Sequence, residues 1–373
     1  MEFEKINLPF KVKRPILAVG SQAKNTVCLA RADTALISPV NPDLSNLRDF
    51  LGFEKTVKYF LKQKPRLVAY DLYPEYLSSK YAFNLATAVK NIIPIQHHHA
   101  QIASCMVENG LDKQKVIGVA WDGTGLGADS TLWGAEFLVC DYKDFIRRAR
   151  VKEIPLLGGE RAISEPWRLA AIWLFQIYKD KFLNLGIDFV RGLDKKKWAI
   201  VKNMHQKHIN SPLASSMGRL FDAVASILLV KYKSGFEADL AIALEKIAAG
   251  YKLKVRGYRF GISQKKNLYI LDPAPMFKEI IADIRAKEAK EKIAYRFHLT
   301  LAEMISKVCL ALREETGINQ VVLSGGVFQN RLLLGLSLDL LPQEGFEVFV
   351  HKKLACHDAN ISLGQAAIAN FRS

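Results

Sequence analysis

The sequence predicts an α/β protein, because short apolar runs alternate with segments of helical periodicity along most of its 373 residues. A second observation sharpens this. Three of the apolar runs lead straight into segments carrying the residues chemistry uses: His97-His98-His99, Asp122-Gly123-Thr124-Gly125 and Ser324-Gly325-Gly326. No period between twenty and fifty residues is visible, so a repeat architecture is not indicated.

In chain order, residues Pro15 to Ile37 read as strand segments, Ile16–Val19 and Thr26–Ala30, with a turn over Gly20–Asn25 between them. Phe53–Gln63 has helical periodicity, Arg66–Tyr70 is a short buried strand, and Lys80–Val89 is a helix. Ile92–Ile95 leads into a helix from near His97 to about Asn109. Val116–Trp121 is apolar throughout, the pattern of a central strand, and ends in Asp122–Gly125. Leu132–Val139 reads as a further strand, and residues 164 to about 250 as mostly helical. From Pro275 to about Glu315 one face is charged and the other apolar, which predicts a surface helix or helix pair. Val321–Leu323 is a strand, a helix follows from Phe328, Phe346–Val350 is a strand, and Ile361 to about Phe371 is a closing helix.

Composition excludes several classes. Half of the residues are hydrophobic and 24% are charged, as in ordinary globular proteins. No apolar run approaches the roughly 18 residues that cross a bilayer, so no membrane association is expected. The start, Met1-Glu2-Phe3-Glu4-Lys5, carries acids where a signal peptide needs a basic and then an apolar stretch. The 5 cysteines are far apart and form no Cys-x-x-Cys, so reduced thiols in a cytoplasmic protein are expected. The net charge of +16 could suit nucleic acid. Its lysines and arginines are dispersed, however, with no aromatic-interleaved stripe, which favours a solvated basic surface.

Asp122-Gly123-Thr124-Gly125 at a strand end would present one carboxylate and several backbone N–H groups to a ligand, with little side chain in the way of phosphate oxygens. An Asp-Gly hairpin turn explains the same residues equally well. Ser324-Gly325-Gly326-Val327-Phe328-Gln329-Asn330 would let a flat group such as adenine lie against the backbone. It is also what a tight strand-to-helix turn needs. On a helix, His97 and residue 101 share a face, and a His pair at that spacing can hold a divalent metal with carboxylates such as Asp122 and Asp358. Residue 101 is Gln, a weaker ligand than imidazole, and Asp358 could equally be a helix cap.

Read together, Ala18-Val-Gly20 with Lys24-Asn-Thr26, Gln96-His-His-His-Ala-Gln101, Trp121-Asp-Gly-Thr-Gly125, Trp133-Gly-Ala-Glu136, Glu165-Pro-Trp-Arg168, Ser215-Ser-Met-Gly-Arg-Leu-Phe-Asp222, Leu323-Ser-Gly-Gly-Val-Phe-Gln-Asn330 and Ser362-Leu-Gly-Gln365 resemble the carbamoyltransferase domain of the HypF family of hydrogenase maturation proteins. That family is similar to the tRNA threonylcarbamoyl transferase TsaD and the O-carbamoyltransferase TobZ. The resemblance runs from about Arg14 to the end.

It implies a two-lobed actin-like ATPase (ASKHA) fold, each lobe a mixed sheet flanked by helices, with a nucleotide cleft between them. The expected division is 1–110, joined by the helix 361–373, against 111–360, with a helical insertion at about 164–250. Implied cofactors are ATP or carbamoyl-adenylate and a divalent metal. Implied catalytic residues are Lys24, His97 and Asp122, and implied metal ligands are His97, Asp122 and Asp358. Nucleotide contacts would come from Gly123, Thr124, Gly125, Gly158, Gly159, Glu160, Glu237, Ser324, Gly325, Gly326 and Asn330. The carbamoyl group would pass to the C-terminal cysteine of a HypE-like acceptor. The adenylate-making YrdC-like half is not in the sequence, so a separate protein is expected to supply it.

Departures from the family pattern cluster where the chemistry would occur. Gln101 replaces a second histidine, and Ala359-Asn360 replace Gly-Gly after Asp358. Glu237-Ala238-Asp239 stand for Glu-Gly-Gln, Leu157-Gly-Gly-Glu160 for Pro-Gly-Gly-Asp, and Tyr73 for a histidine. A catalytically impaired nucleotide-binding paralogue is therefore one alternative, and a TsaD-like tRNA-modifying enzyme another. Without the second imidazole, magnesium or manganese is expected in place of tightly held iron or zinc.

Overall fold

The computed structural model describes residues 2–87, 89–251 and 253–373. Two mixed sheets organise them. The first has the order Glu4–Asn7, Thr34–Ile37, Cys28–Arg31, Ile16–Ala18, Leu67–Asp71, Ile92–Ile95, antiparallel up to Ile16–Ala18 and parallel from there on. The second runs Gly261–Lys265, Leu268–Asp272, Phe145–Val151, Leu132–Cys140, Val116–Leu126, Gln320–Ser324, Glu347–Phe349. Leu213–Ser216 branches from it, parallel to the start of Leu132–Cys140.

Helices His97–Glu108 and Ile361–Arg372 lie against each other between the sheets. They share one apolar core with residues of both sheets, including Ile16, Ala18, Ala120, Val322, Leu363 and Ala367. A Cβ on Gly364 would fall 1.8 Å from the Ala100 carbonyl oxygen, so only glycine lets the two backbones approach this closely. The closing helix is also tied to the first sheet, where Gln365 Oε1 accepts from Gly20 N at 2.9 Å and Thr26 Oγ1 bonds Ser362 Oγ at 2.6 Å. His97, which opens one of these helices, and Asp358, just before the other, are therefore held by one helix pair.

Several sequence expectations are corrected. Asp122–Gly125 is no turn: it forms the C-terminal part of the strand itself, which runs on to Leu126 with Gly125 paired to Trp133. Glycine allows this, since a Cβ on Gly125 would press within 2.7 Å of His98. The helix expected at Phe53–Gln63 spans Leu47–Leu61, started by an Asn46 cap that accepts from Arg48 N. The helix expected at Lys80–Val89 spans Leu77–Leu85, and Ala88 lies outside the described residues. The Gly20–Asn25 turn holds a short strand, Ala23–Asn25, paired with Asn41–Asp43.

The segment from Pro275 is two helices, Ala274–Arg285 and Lys290–Thr316. The second is no mere surface helix: Phe297, His298, Leu301, Ile305 and Cys309 on it are all buried. The helix expected from Phe328 begins at Arg331, after one 3-10 turn. The hairpin Gly261–Lys265/Leu268–Asp272 was not legible, because polar side chains fill its outer strand.

Candidate active site

The first three candidates converge. His97 opens its helix, Asp122 projects from the long central strand, and Asp358 opens a 3-10 turn before the closing helix. One ligand atom from each lies within 4.8 Å of the others. His97 Nε2 is 3.7 Å from Asp122 Oδ2 and 3.5 Å from Asp358 Oδ1. Donors around a small divalent cation sit about 3 Å apart, so the three side chains must draw together to hold one. The imidazole is already oriented for the task. Its Nδ1 bonds the buried Asp71 carboxylate at 2.7 Å, which turns Nε2 toward the two aspartates.

Gln101 faces the same point, one turn along the helix. Its Nε2 donates to Asp122 Oδ2 and lies 3.4 Å from His97 Nε2, while its Oε1 is buried without a partner. The amide thus turns its nitrogen to Asp122 and His97, and a flip would bring the orphaned oxygen there as a fourth donor suited to a hard cation. Burial opposes charge on His97, but the Asp71 and Asp358 carboxylates outweigh it and hold its pKa well above the ordinary value. Burial likewise opposes charge on Asp122, yet hydrogen bonding to His97 keeps its carboxyl below the usual range.

The two glycine-rich segments also meet. Gly325, at φ +109, lies so close to Trp121 that a Cβ would overlap its carbonyl oxygen at 2.2 Å. A Cβ on Gly326 would reach within 2.9 Å of Asp122 Oδ1, whereas one on Gly123 would meet nothing within 4 Å. Ser216 caps the helix Met217–Leu229 and also donates to the Gly123 carbonyl. Thr124 continues the same strand.

Lys24, in the left-handed region at φ 47, extends Nζ to Glu237 Oε1 at 2.9 Å. Burial works against its charge, but Glu237, with Asp358 and Asp122 behind it, raises its pKa above the ordinary value. Ala238 occupies a left-handed conformation at φ 60, where its Cβ costs strain that a glycine would avoid. Ala359 carries no such strain; its carbonyl simply accepts from Thr26 Oγ1 at 2.8 Å.

Other candidates are engaged elsewhere. Gly158 N and Gly159 N bond Asn210 O and Leu156 O, and Glu160 is exposed at the start of a short helix. Asn330 caps its helix at Leu333 N and bonds the buried His298 at 3.0 Å. Ser324 Oγ bonds His351 Nε2 at 2.8 Å. Asp71, the orienting carboxylate, was missed as a site residue. Its signal was an aspartate at the end of a buried parallel strand. No cysteine offers a ready thiolate, since burial raises the pKa of all five and pushes even the most exposed, Cys356, up to about 11.

Two family descriptions cover this arrangement. "HypF Kae1-like domain" matches residues 11–108, and "Carbamoyltransferase, Kae1-like Domain, second subdomain" matches residues 118–365. The chain belongs to the HypF carbamoyltransferase domain family. A "Carbamoyltransferase HypF" of Synechocystis is 32% identical over 96% of this chain but only 48% of its own length. The chain thus spans about half of that relative. A "Carbamoyltransferase HypF homolog" of Cupriavidus necator is 33% identical over 95% of this chain and 91% of its own length. A solved full-length HypF in the phosphate- and nucleotide-bound form superposes with a TM-score of 0.91 at 40% identity, covering 98% of this chain and 57% of that one. The fold is accordingly the Kae1-like, ASKHA-type fold that the sequence motifs implied.

Proposed function

We propose that this HypF-type domain binds an adenine nucleotide, or carbamoyl-adenylate, in a cleft between the lobes 1–110 with 361–373 and 111–360, the latter carrying the insertion at about 164–250. It would then pass the carbamoyl group to an acceptor thiolate in hydrogenase maturation. The observation that carries this reading is the meeting of Gly325-Gly326 with Asp122 beside the His97–Asp122–Asp358 cluster. The solved HypF relative, in its phosphate- and nucleotide-bound form, supports the same kind of occupant.

In this reading His97, Asp122 and Asp358, with Gln101 behind them, hold magnesium or manganese. Such an ion supplies Lewis-acid polarisation of a carbonyl or phosphoryl oxygen. Gly123 to Gly125 border the phosphates, and Gly325 and Gly326 the adenine side, with the buried Ser324 behind them. Lys24 exchanges its Glu237 partner for an anionic group of the substrate, which frees Glu237 for ribose hydroxyls. The acceptor thiolate attacks the carbamoyl carbon, a C–S bond forms, and the bond from that carbon to the phosphate oxygen breaks. AMP leaves with the electron pair. Because the chain's own thiols are held protonated, four of them fully buried and Cys356 partly so, the nucleophile comes from the partner, a HypE-like protein ending in cysteine. A YrdC-like activity supplies the adenylate.

Calorimetry with ATP, ADP and AMP in the presence of magnesium tests the first step; binding is expected, and no heat at millimolar nucleotide overturns the reading. Labelled carbamoyl-adenylate and a cysteine-terminated acceptor test the second. Gln101 in place of an imidazole favours one alternative, an impaired paralogue acting as scaffold or regulator. Nucleotide binding without any transfer would select it.

A further inference from the structure

Glu108 and His351 form a buried pair that neither the cation cluster nor the nucleotide cleft uses. Their side chains are 0% and 3% exposed, and His351 Nδ1 bonds the Glu108 carboxylate. A buried carboxylate is poor evidence for stability, since apolar residues of the same volume often serve as well. Its contacts suggest a geometric role instead. Besides His351, Glu108 accepts from Lys353 N at 2.9 Å and Leu354 N at 2.7 Å, so its carboxylate grips one return segment. Burial would raise the Glu108 pKa, but these hydrogen bonds, led by His351, hold it below the usual value.

The other imidazole nitrogen looks the opposite way. His351 Nε2 bonds Ser324 Oγ at 2.8 Å and Asn360 Nδ2 at 3.3 Å, and Asn360 Nδ2 also donates to Ala355 O at 2.9 Å. With the ring proton on Nδ1 toward Glu108, Nε2 can accept from both. Gly325 N closes the circuit on Cys356 O at 2.9 Å. Glu108 thus ends the helix that begins with His97, and His351 links that end to the Gly325-Gly326 segment and to the turn bearing Asp358. The order Ser324–His351–Glu108 has the connectivity of a hydrolytic triad, but Ser324 is 0% exposed and offers substrate no open side.

We propose that Glu108 and His351 are positioning residues that fix Asp358 relative to His97 and Asp122, so that a divalent cation meets a preassembled site. The inference rests on the cation reading above. Manganese titration calorimetry on the full chain tests it, with Glu108→Gln, His351→Asn, Asp358→Ala and the Glu108→Gln/Asp358→Ala double variant. Thr300→Val, which breaks a buried hydrogen-bond pair with Tyr258 N and Arg296 O, outside the cluster, controls for general destabilisation.

Glu108→Gln and His351→Asn should each weaken manganese binding about tenfold or more, while Thr300→Val leaves it unchanged. On the Asp358→Ala background, Glu108→Gln should change affinity by less than about threefold, because the two residues act on one ligand. Wild-type affinity in Glu108→Gln, or its full effect undiminished without Asp358, overturns the proposal. A wild-type protein that binds no manganese overturns the cation reading. In that case hydrogen exchange of the Ala355–Asn360 amides decides the positioning role: faster exchange in Glu108→Gln supports it, and unchanged exchange overturns it.

Discussion

At the scale of single residues, position 101 decides what the cluster can hold. The amide of Gln101 reaches Asp122 and His97, so the helical spacing read from the sequence does put it on the site. An imidazole there would add a nitrogen ligand favoured by zinc and iron. Gln101→His should raise affinity for Zn²⁺ or Fe²⁺ by at least about tenfold, roughly 1.4 kcal/mol. Chelator competition on both proteins, with Asp358→Ala as control, checks it. Little transition metal should accompany the unaltered protein; stoichiometric iron in it would contradict the hard-ligand reading. Proton release on cation binding is expected as well, because His97 binds its proton more tightly than a free imidazole in the ion-free protein.

At the scale of elements, the helix pair His97–Glu108 and Ile361–Arg372 sets the site's frame. Gly364→Ala would drive a methyl into the Ala100 carbonyl, next to Gln101 and about one turn from His97. It should destabilise the fold by about 3 kcal/mol or more, read as a lower urea midpoint. The same helix carries histidines of opposite behaviour. Burial pushes His98 down to about 3 and His99 to about 4, and His298 on the helix Lys290–Thr316 to about 4. These three stay neutral when folded but protonate near 6.5 when unfolded, so acidification below 6.5 favours the unfolded chain. Each should remove up to about 3 kcal/mol by pH 4. His97 has the opposite sign: its contribution is full below 6.5 and is lost as pH rises through its raised folded value. Urea unfolding from pH 7 to pH 4.5 should show falling stability, and His298→Gln should flatten the fall.

At the scale of the whole molecule, the charge of +16 is dispersed over the surface, and many of its cations are paired. Arg147 bridges Asp129 and the fully buried Glu136, and Arg296 bridges Glu279 and Asp283. A gel shift with bulk tRNA should therefore show only weak binding that vanishes near physiological salt. Tight, salt-resistant binding would move the tRNA-modifying reading to the front. Among the described residues no helix is long and apolar enough to cross a membrane, in line with the absence of any long apolar run.

The motifs identified the family and the α/β class because glycine, histidine and aspartate at fixed spacings are demanded locally. A Cβ at Gly325 or Gly364 collides with backbone, and His97 and Gln101 share a helix face whatever surrounds them. The sequence could not show that Asp122–Gly125 continues a strand, because a glycine run fits a turn as well as a close approach by His98. Nor could it show that Asp71 orients His97, or that Glu108 reaches across 243 positions to His351. Those pairings join segments far apart in the chain, and only the packing of the two sheets around one helix pair brings them within hydrogen-bond range. Local chemistry fixed which residues could act; tertiary packing decided which of them meet.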